Sequence, residues 1–172
     1  MKKQEFIEAF KPSQAYVMAL NEKECHNGTF NLRMATAEYS LEFVGNWVDS
    51  LVMDFVSFAM LKCSFSLEQR KNLAMTIIVS HQRMLCSELL LFFLKAKSGA
   101  FGKFYGTLEP MDITTKLLEW SQKCNVLRNE VAAEAFEKYK QSIRTGELDY
   151  KAEFDRSIYH YGANGALTIT SK

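Results

Sequence analysis

The chain has 172 residues, 48% hydrophobic and 24% charged, with two prolines and eight glycines. That balance excludes a disordered or fibrous chain and predicts a single globular domain over 1–172, large enough to bury most of its apolar side chains. A net charge of +1 is too small for a dedicated DNA-binding domain, yet it conceals a basic middle third: residues 61–105 carry seven Lys/Arg against two Asp/Glu, a polarity that suits a nucleic-acid or acidic-protein surface.

The first residues, Met1 to Glu8, are charged and lack the apolar run of a signal peptide, so a cytoplasmic location is expected. Cys25, Cys63, Cys86 and Cys124 show neither Cys-x-x-Cys nor a clustered Cys/His pattern. They are read as free, mostly buried thiols in a reducing compartment, and neither a metal nor a cofactor is expected. Pro12 suits the first turn of a short helix whose apolar stripe is Ala15, Tyr16, Ala19 and Leu20, and the Asn27-Gly28 turn ends that region.

A second helix is predicted from about Ala37 to Lys62, with Phe43, Trp47, Leu51, Phe55 and Phe58 at helical spacing. Only a narrow polar stripe, Asn46, Asp49, Ser50, Asp54 and Ser57, interrupts it, so the helix is either central to the core or covers a partner. The stripe argues against a membrane span, because Asp at a bilayer centre costs about 2.5–3.5 kcal/mol on insertion scales.

Ser66-Leu67-Glu68-Gln69 has the form of a capping box and predicts a long helix to about Lys95. The unbroken run Leu89 to Leu94 implies burial on several sides. His81 and Glu88 fall on or beside the apolar face; a Glu placed there is paired or neutral, and a bonded structural Glu88 is preferred to a functional one. Pro110 starts another helix, and Ile113, Leu117, Trp120, Cys124, Leu127 and Val131 give it the seam spacing of packed helices to about Ile143, with Gly146 as its cap. A shorter helix is predicted over Leu148–Tyr161, and the tail 162–172 reads as loosely ordered, with Leu167-Thr168-Ile169-Thr170 the one strand candidate. The expected fold is therefore all-α: about five helices, with Ser66–Lys95 and Pro110–Ile143 as a long antiparallel pair.

Between those two helices lie Lys95, Lys97, Lys103, Phe104 and Tyr105, spaced by Gly99, Gly102 and Gly106. Aromatics that stack on bases and lysines that meet phosphates are the combination single-strand binders use; the alternative is that the aromatics fold inward and the lysines are merely solvated. Neither a Walker loop nor a dinucleotide fingerprint fits, since a helix precedes the glycines and Phe104 follows Gly102-Lys103. His26, His81 and His160 stand apart from obvious partners, so no triad or acid–base pair is proposed and the chain is read as a non-enzyme.

The run Ser87-Glu88-Leu89-Leu90-Leu91-Phe92-Phe93-Leu94-Lys95-Ala96-Lys97-Ser98-Gly99, with Phe101-Gly102-Lys103-Phe104-Tyr105-Gly106 and Glu109-Pro110-Met111, resembles a segment of uncharacterised helical proteins of Bacteroidetes bacteria, their phages and mobile elements. The resemblance spans roughly Ser66 to Glu130 and implies a role near DNA replication or transfer. It carries no activity with it. Two function readings follow. The first is an accessory protein of a mobile-element or phage-like locus that contacts DNA or a replication protein through the five loop residues. The second is a protein-interaction or homo-oligomeric module using the Trp47–Phe58 face, with no nucleic-acid binding.

Overall fold

The computed structural model describes residues 2–59, 65–102 and 109–145 in full, and the backbone of 62–63, 107–108, 157–161 and 167–171. It is mainly helical. Among the described residues there are eight α-helices and four short strands: α1 (Lys3–Ala9), α2 (Gln14–Ala19), α3 (Glu22–Cys25), α4 (Leu32–Tyr39), α5 (Leu41–Phe58), β1 (Lys62–Cys63), α6 (Leu67–Ser80), α7 (Cys86–Lys97), β2 (Thr107–Leu108), α8 (Pro110–Arg144), β3 (Ser157–Tyr161) and β4 (Leu167–Ser171). Internal contacts group the chain into two compact units, Met1–Val131 and Ala132–Lys172.

In the first unit α5 is the central element and packs against α4, α6 and α7. Its Trp47, Val48, Leu51, Val52 and Phe55 are buried, as its apolar spacing predicts. Trp47 belongs to the interior of this chain, with its indole Nε1 donating to the Phe10 carbonyl at 2.8 Å; Phe58, by contrast, is 57% exposed. The polar stripe ties helices together. Asp49 forms a two-pronged ion pair with Arg70 of α6, and Asp54 pairs with Lys97 of α7.

The predicted helix over 37–62 is in fact two helices. Ser40 sits between α4 and α5 at φ 103° and ψ 153°, outside the helical region, and its Oγ accepts from Phe43 N at 3.3 Å to cap α5. A helix unread in the sequence, α1, places Phe6 at the centre of a ring cluster, with centroids 5.0 Å from Phe10, 5.1 Å from Tyr39 and 5.2 Å from Trp47. The stripe expected after Pro12 is only partly internal: Ala15 is buried, whereas Tyr16 and Leu20 face solvent.

The Ser66 capping box is present in both directions, with Gln69 N donating to Ser66 Oγ and Ser66 N to Gln69 Oε1. The helix it starts does not reach Lys95. It ends at Ser80, and α7 begins at Cys86, so the expected long antiparallel pair lacks a continuous first member. The cause is backbone pairing with a distant segment. Leu32 N donates to Met84 O, Arg33 N to Gln82 O and Cys86 N to Phe30 O at 3.0–3.1 Å, around an isolated antiparallel bridge between Asn31 and Leu85. Those exchanges take up backbone groups that a continuous helix would use internally. From Cys86 onward the chain follows its apolar pattern: Leu89, Leu90, Leu91, Phe92 and Phe93 are all buried, and α8 begins at Pro110 with Ile113, Leu117, Trp120 and Cys124 inside. Backbone pairing of β1 with β2 is parallel, Lys62 with Thr107 and Cys63 with Leu108.

In the second unit, Ser157–Tyr161 pairs antiparallel with Leu167–Ser171. This corrects the helix expected to end at Tyr161, and it gives the Leu167–Thr170 strand candidate a partner. Gly146 lies outside the described residues.

Candidate functional site

Of the five loop residues expected to meet a ligand, Lys103, Phe104 and Tyr105 lie outside the described residues. The other two are engaged within the chain. Lys95 Nζ is 2.9 Å from Glu22 Oε2 and lies 5.6 Å from the Trp120 ring centre. Lys97 pairs with Asp54, its side chain 9% exposed, and rests 5.3 Å over Phe58. The turn after α7 is made by glycines at positive φ, Gly99 at 79° and Gly102 at 84°, where a side chain is strained. Phe101 folds inward, its ring 5.0 Å from Phe92 and 6.1 Å from Trp120.

The polar chemistry of the first unit gathers instead around Glu88, which is fully buried. Position N3 of α7 puts its carboxylate back over the helix start, where Oε2 accepts from Leu85 N at 2.9 Å. The same oxygen accepts from Arg128 Nη1 at 2.9 Å, and Oε1 accepts from His26 Nδ1 at 2.9 Å. Its main-chain carbonyl takes the Trp120 indole N–H at 2.9 Å. A lone buried carboxylate is very costly, and three donors, one of them the Arg128 guanidinium, make this one tenable. Glu88 is thus bonded, as the sequence expects of an acid on that face. His26, read as isolated, is its partner across 62 positions of chain. It caps α3, which is held in turn by Ser87 Oγ donating to the Cys25 carbonyl at 2.7 Å.

Cys124, one turn after Trp120 on α8, completes the cluster. A ring nitrogen of His26, a Glu88 oxygen and Cys124 Sγ lie within 4.8 Å of one another, all buried. Cys25, Cys86 and Cys124 are free thiols. Burial pushes all three up in pKa, Cys86 to about 12, so none is a poised nucleophile.

Arg128 joins this interior to the surface. Besides Glu88 it donates to the Arg83 carbonyl at 2.9 Å and to Asn125, and it stands at one wall of a polar cleft of about 730 Å³. The 81–84 break and the start of α4 also line it. The 30–33 and 82–86 pairing is what brings Arg33 and Arg83 together there. Gln82, Asn125 and Asn129 add amides, and among the described residues no acidic one lines the cleft. Arg33 and Arg83 are exposed. His81, at the end of α6, borders the cleft while buried, and its pKa is lowered by desolvation. None of the three arginines was singled out from sequence, and only the basic excess of 61–105 pointed to the region.

The fold and site define a mainly helical protein built around a buried acid–base network, with an arginine cleft on its surface. The chain belongs to DUF6633, a family of unknown function that matches it over residues 64–150, half of the chain. That match takes in Arg83, Glu88, Cys124 and Arg128, while His26 and Arg33 precede it. No curated protein and no solved structure matches the chain. Among the described residues, no helix is long and apolar enough to cross a membrane.

Proposed function

We propose that this chain is a non-enzymatic accessory protein that contacts DNA, with the Arg33–Arg83–Arg128 cleft as its phosphate-binding surface. One observation carries the reading: three guanidinium groups and three side-chain amides share a cleft that, among the described residues, no acidic one lines. Arg128 is anchored by Glu88, whereas Arg33 and Arg83 have no ion-pair partner among the described residues, so their charge is available to a ligand. Guanidinium forks suit phosphate oxygens, and neighbouring amides suit base edges or sugar. Lys95 and Lys97 become secondary here, because they answer acids of their own chain. A place at a mobile-element or phage-like locus rests on the sequence resemblance alone.

The test is binding of fluorescent single- and double-stranded DNA across a salt series. About three phosphate contacts give a logarithmic salt slope of about −2 to −3. The double substitution Arg33→Glu/Arg83→Glu, at exposed positions, is expected to remove most of that slope with the fold intact by circular dichroism. Unchanged affinity in that variant would overturn the cleft, and no binding by the natural chain would overturn DNA contact altogether.

A second reading, a protein-interaction or homo-oligomeric module, is favoured by α8, where Met111, Leu118 and Val126 remain more than half exposed. Light scattering distinguishes it: a defined oligomer that Leu118→Glu converts to a monomer supports it.

A further inference from the structure

We propose that His26 and Cys124 form a buried site for a soft monovalent metal ion of the Cu(I) type, with Glu88 as the positioning residue that orients the imidazole. His26 Nε2 is the one buried side-chain polar atom among the described residues that has no hydrogen-bond partner, in a side chain only 2% exposed. Its other ring nitrogen lies 2.9 Å from Glu88 Oε1. An ionised carboxylate only accepts, so Nδ1 donates, and an imidazole whose one N–H is at Nδ1 presents Nε2 as a lone pair. A carboxylate behind an imidazole is the arrangement that fixes tautomer and ring direction for a metal. Cys124 Sγ lies within 4.8 Å of a ring nitrogen of His26 and of a Glu88 oxygen in the same buried group.

Charge and donor count select the ion. Glu88 already accepts from His26, Leu85 and Arg128, and the Arg128 guanidinium answers its charge. Two donors remain, an imidazole nitrogen and a sulfur, a set that suits a soft ion satisfied by few ligands. Loading replaces the Cys124 thiol proton, which leaves to solvent, with a sulfur–metal bond, and Nε2 supplies the second bond without loss of a proton. No oxidation state changes. One thiolate and one monovalent cation add no net charge to the pocket, whereas a divalent ion would leave a positive charge uncompensated in a dry interior.

The test uses the full chain, kept anaerobic and titrated with Cu(I) against a colorimetric chelator, both as the native protein and after refolding with the ion. One ion per chain is expected, with one nitrogen and one sulfur nearest the metal by X-ray absorption. His26→Asn keeps an amide N–H where Nδ1 donates to Glu88 and removes Nε2; it should weaken binding about tenfold or more, as should Cys124→Ser. Cys25→Ser and Cys86→Ser should leave binding unchanged. No uptake by native or refolded protein, or uptake undiminished in His26→Asn, would overturn the site. If His26→Asn does not fold, the natural chain decides: a shell of sulfur alone means that scattered cysteines hold the ion and the proposal fails.

Discussion

Arg128 Nη1 reaches across from α8 to the fully buried carboxylate of Glu88 at 2.9 Å, 40 positions earlier in the chain. Removing the guanidinium leaves Glu88 charged in the interior, so Arg128→Met should destabilise the protein by about 3 kcal/mol. Glu88→Gln keeps the volume but turns an amide N–H toward donors, and a loss of about 2 kcal/mol is expected. Urea denaturation of both variants measures this, and a change below about 0.5 kcal/mol in Arg128→Met would show that the pair does not hold α8 in place.

Lys97 distinguishes an internal ion pair from a ligand contact. Because its ammonium is matched to Asp54 and its side chain is nearly covered, Lys97→Glu sets two carboxylates against each other. A destabilisation of about 2 kcal/mol is expected, discounted from the fully buried case because Asp54 is 36% exposed. A DNA-contact lysine would instead lose binding with stability unchanged.

Ser40 occupies a backbone conformation, φ 103° and ψ 153°, that is open in practice only to glycine and costs other residues on the order of 1–3 kcal/mol. Ser-to-Gly at an N-cap loses only a few tenths of a kcal/mol. Ser40→Gly should therefore stabilise the chain by about 1 kcal/mol, seen as a rise of about 2–4 °C in thermal midpoint. Ser40→Ala keeps the strain and loses the cap to Phe43, so its midpoint should fall.

Cys86 sets an alkaline limit. Its thiol is raised by burial from 9.0 to about 12, so above pH 9 the unfolded chain sheds a proton that the folded chain retains. Stability from this group is whole below pH 9 and is lost as pH rises toward 12, at about 1.4 kcal/mol per unit. The slope of unfolding free energy between pH 9 and 10.5 should flatten by that amount in Cys86→Ala. His81 acts at the other end: its pKa is lowered by desolvation, so stability is present above about pH 6.5 and falls as the medium is acidified, less so in His81→Gln.

What the sequence by itself determined is local. Ser66 and Gln69 satisfy each other three residues apart, Pro110 opens a helix because its ring presets φ, and the spacing of Ile113, Leu117, Trp120 and Cys124 aligns one face of α8. The continuous Leu89–Phe93 run likewise has nowhere to go but inside. Each depends on residues within a turn or two of one another, which is the range over which spacing and capping operate. Only the tertiary structure decided the break at 81–85, since its cause is backbone pairing with residues 30–33, and nothing in a helical apolar pattern announces a competing partner fifty positions away. His26 and Glu88 were each visible as residues and invisible as a pair for the same reason. Lys95 and Lys97 show the converse: their charge was legible, but whether it faced a ligand or an acid of the same chain depended on where α3 and α5 came to lie. Arg33, Arg83 and Arg128 form one cleft because chain segments about fifty and forty-five positions apart meet there, and a polar surface assembled from such distances leaves no periodic trace in the sequence.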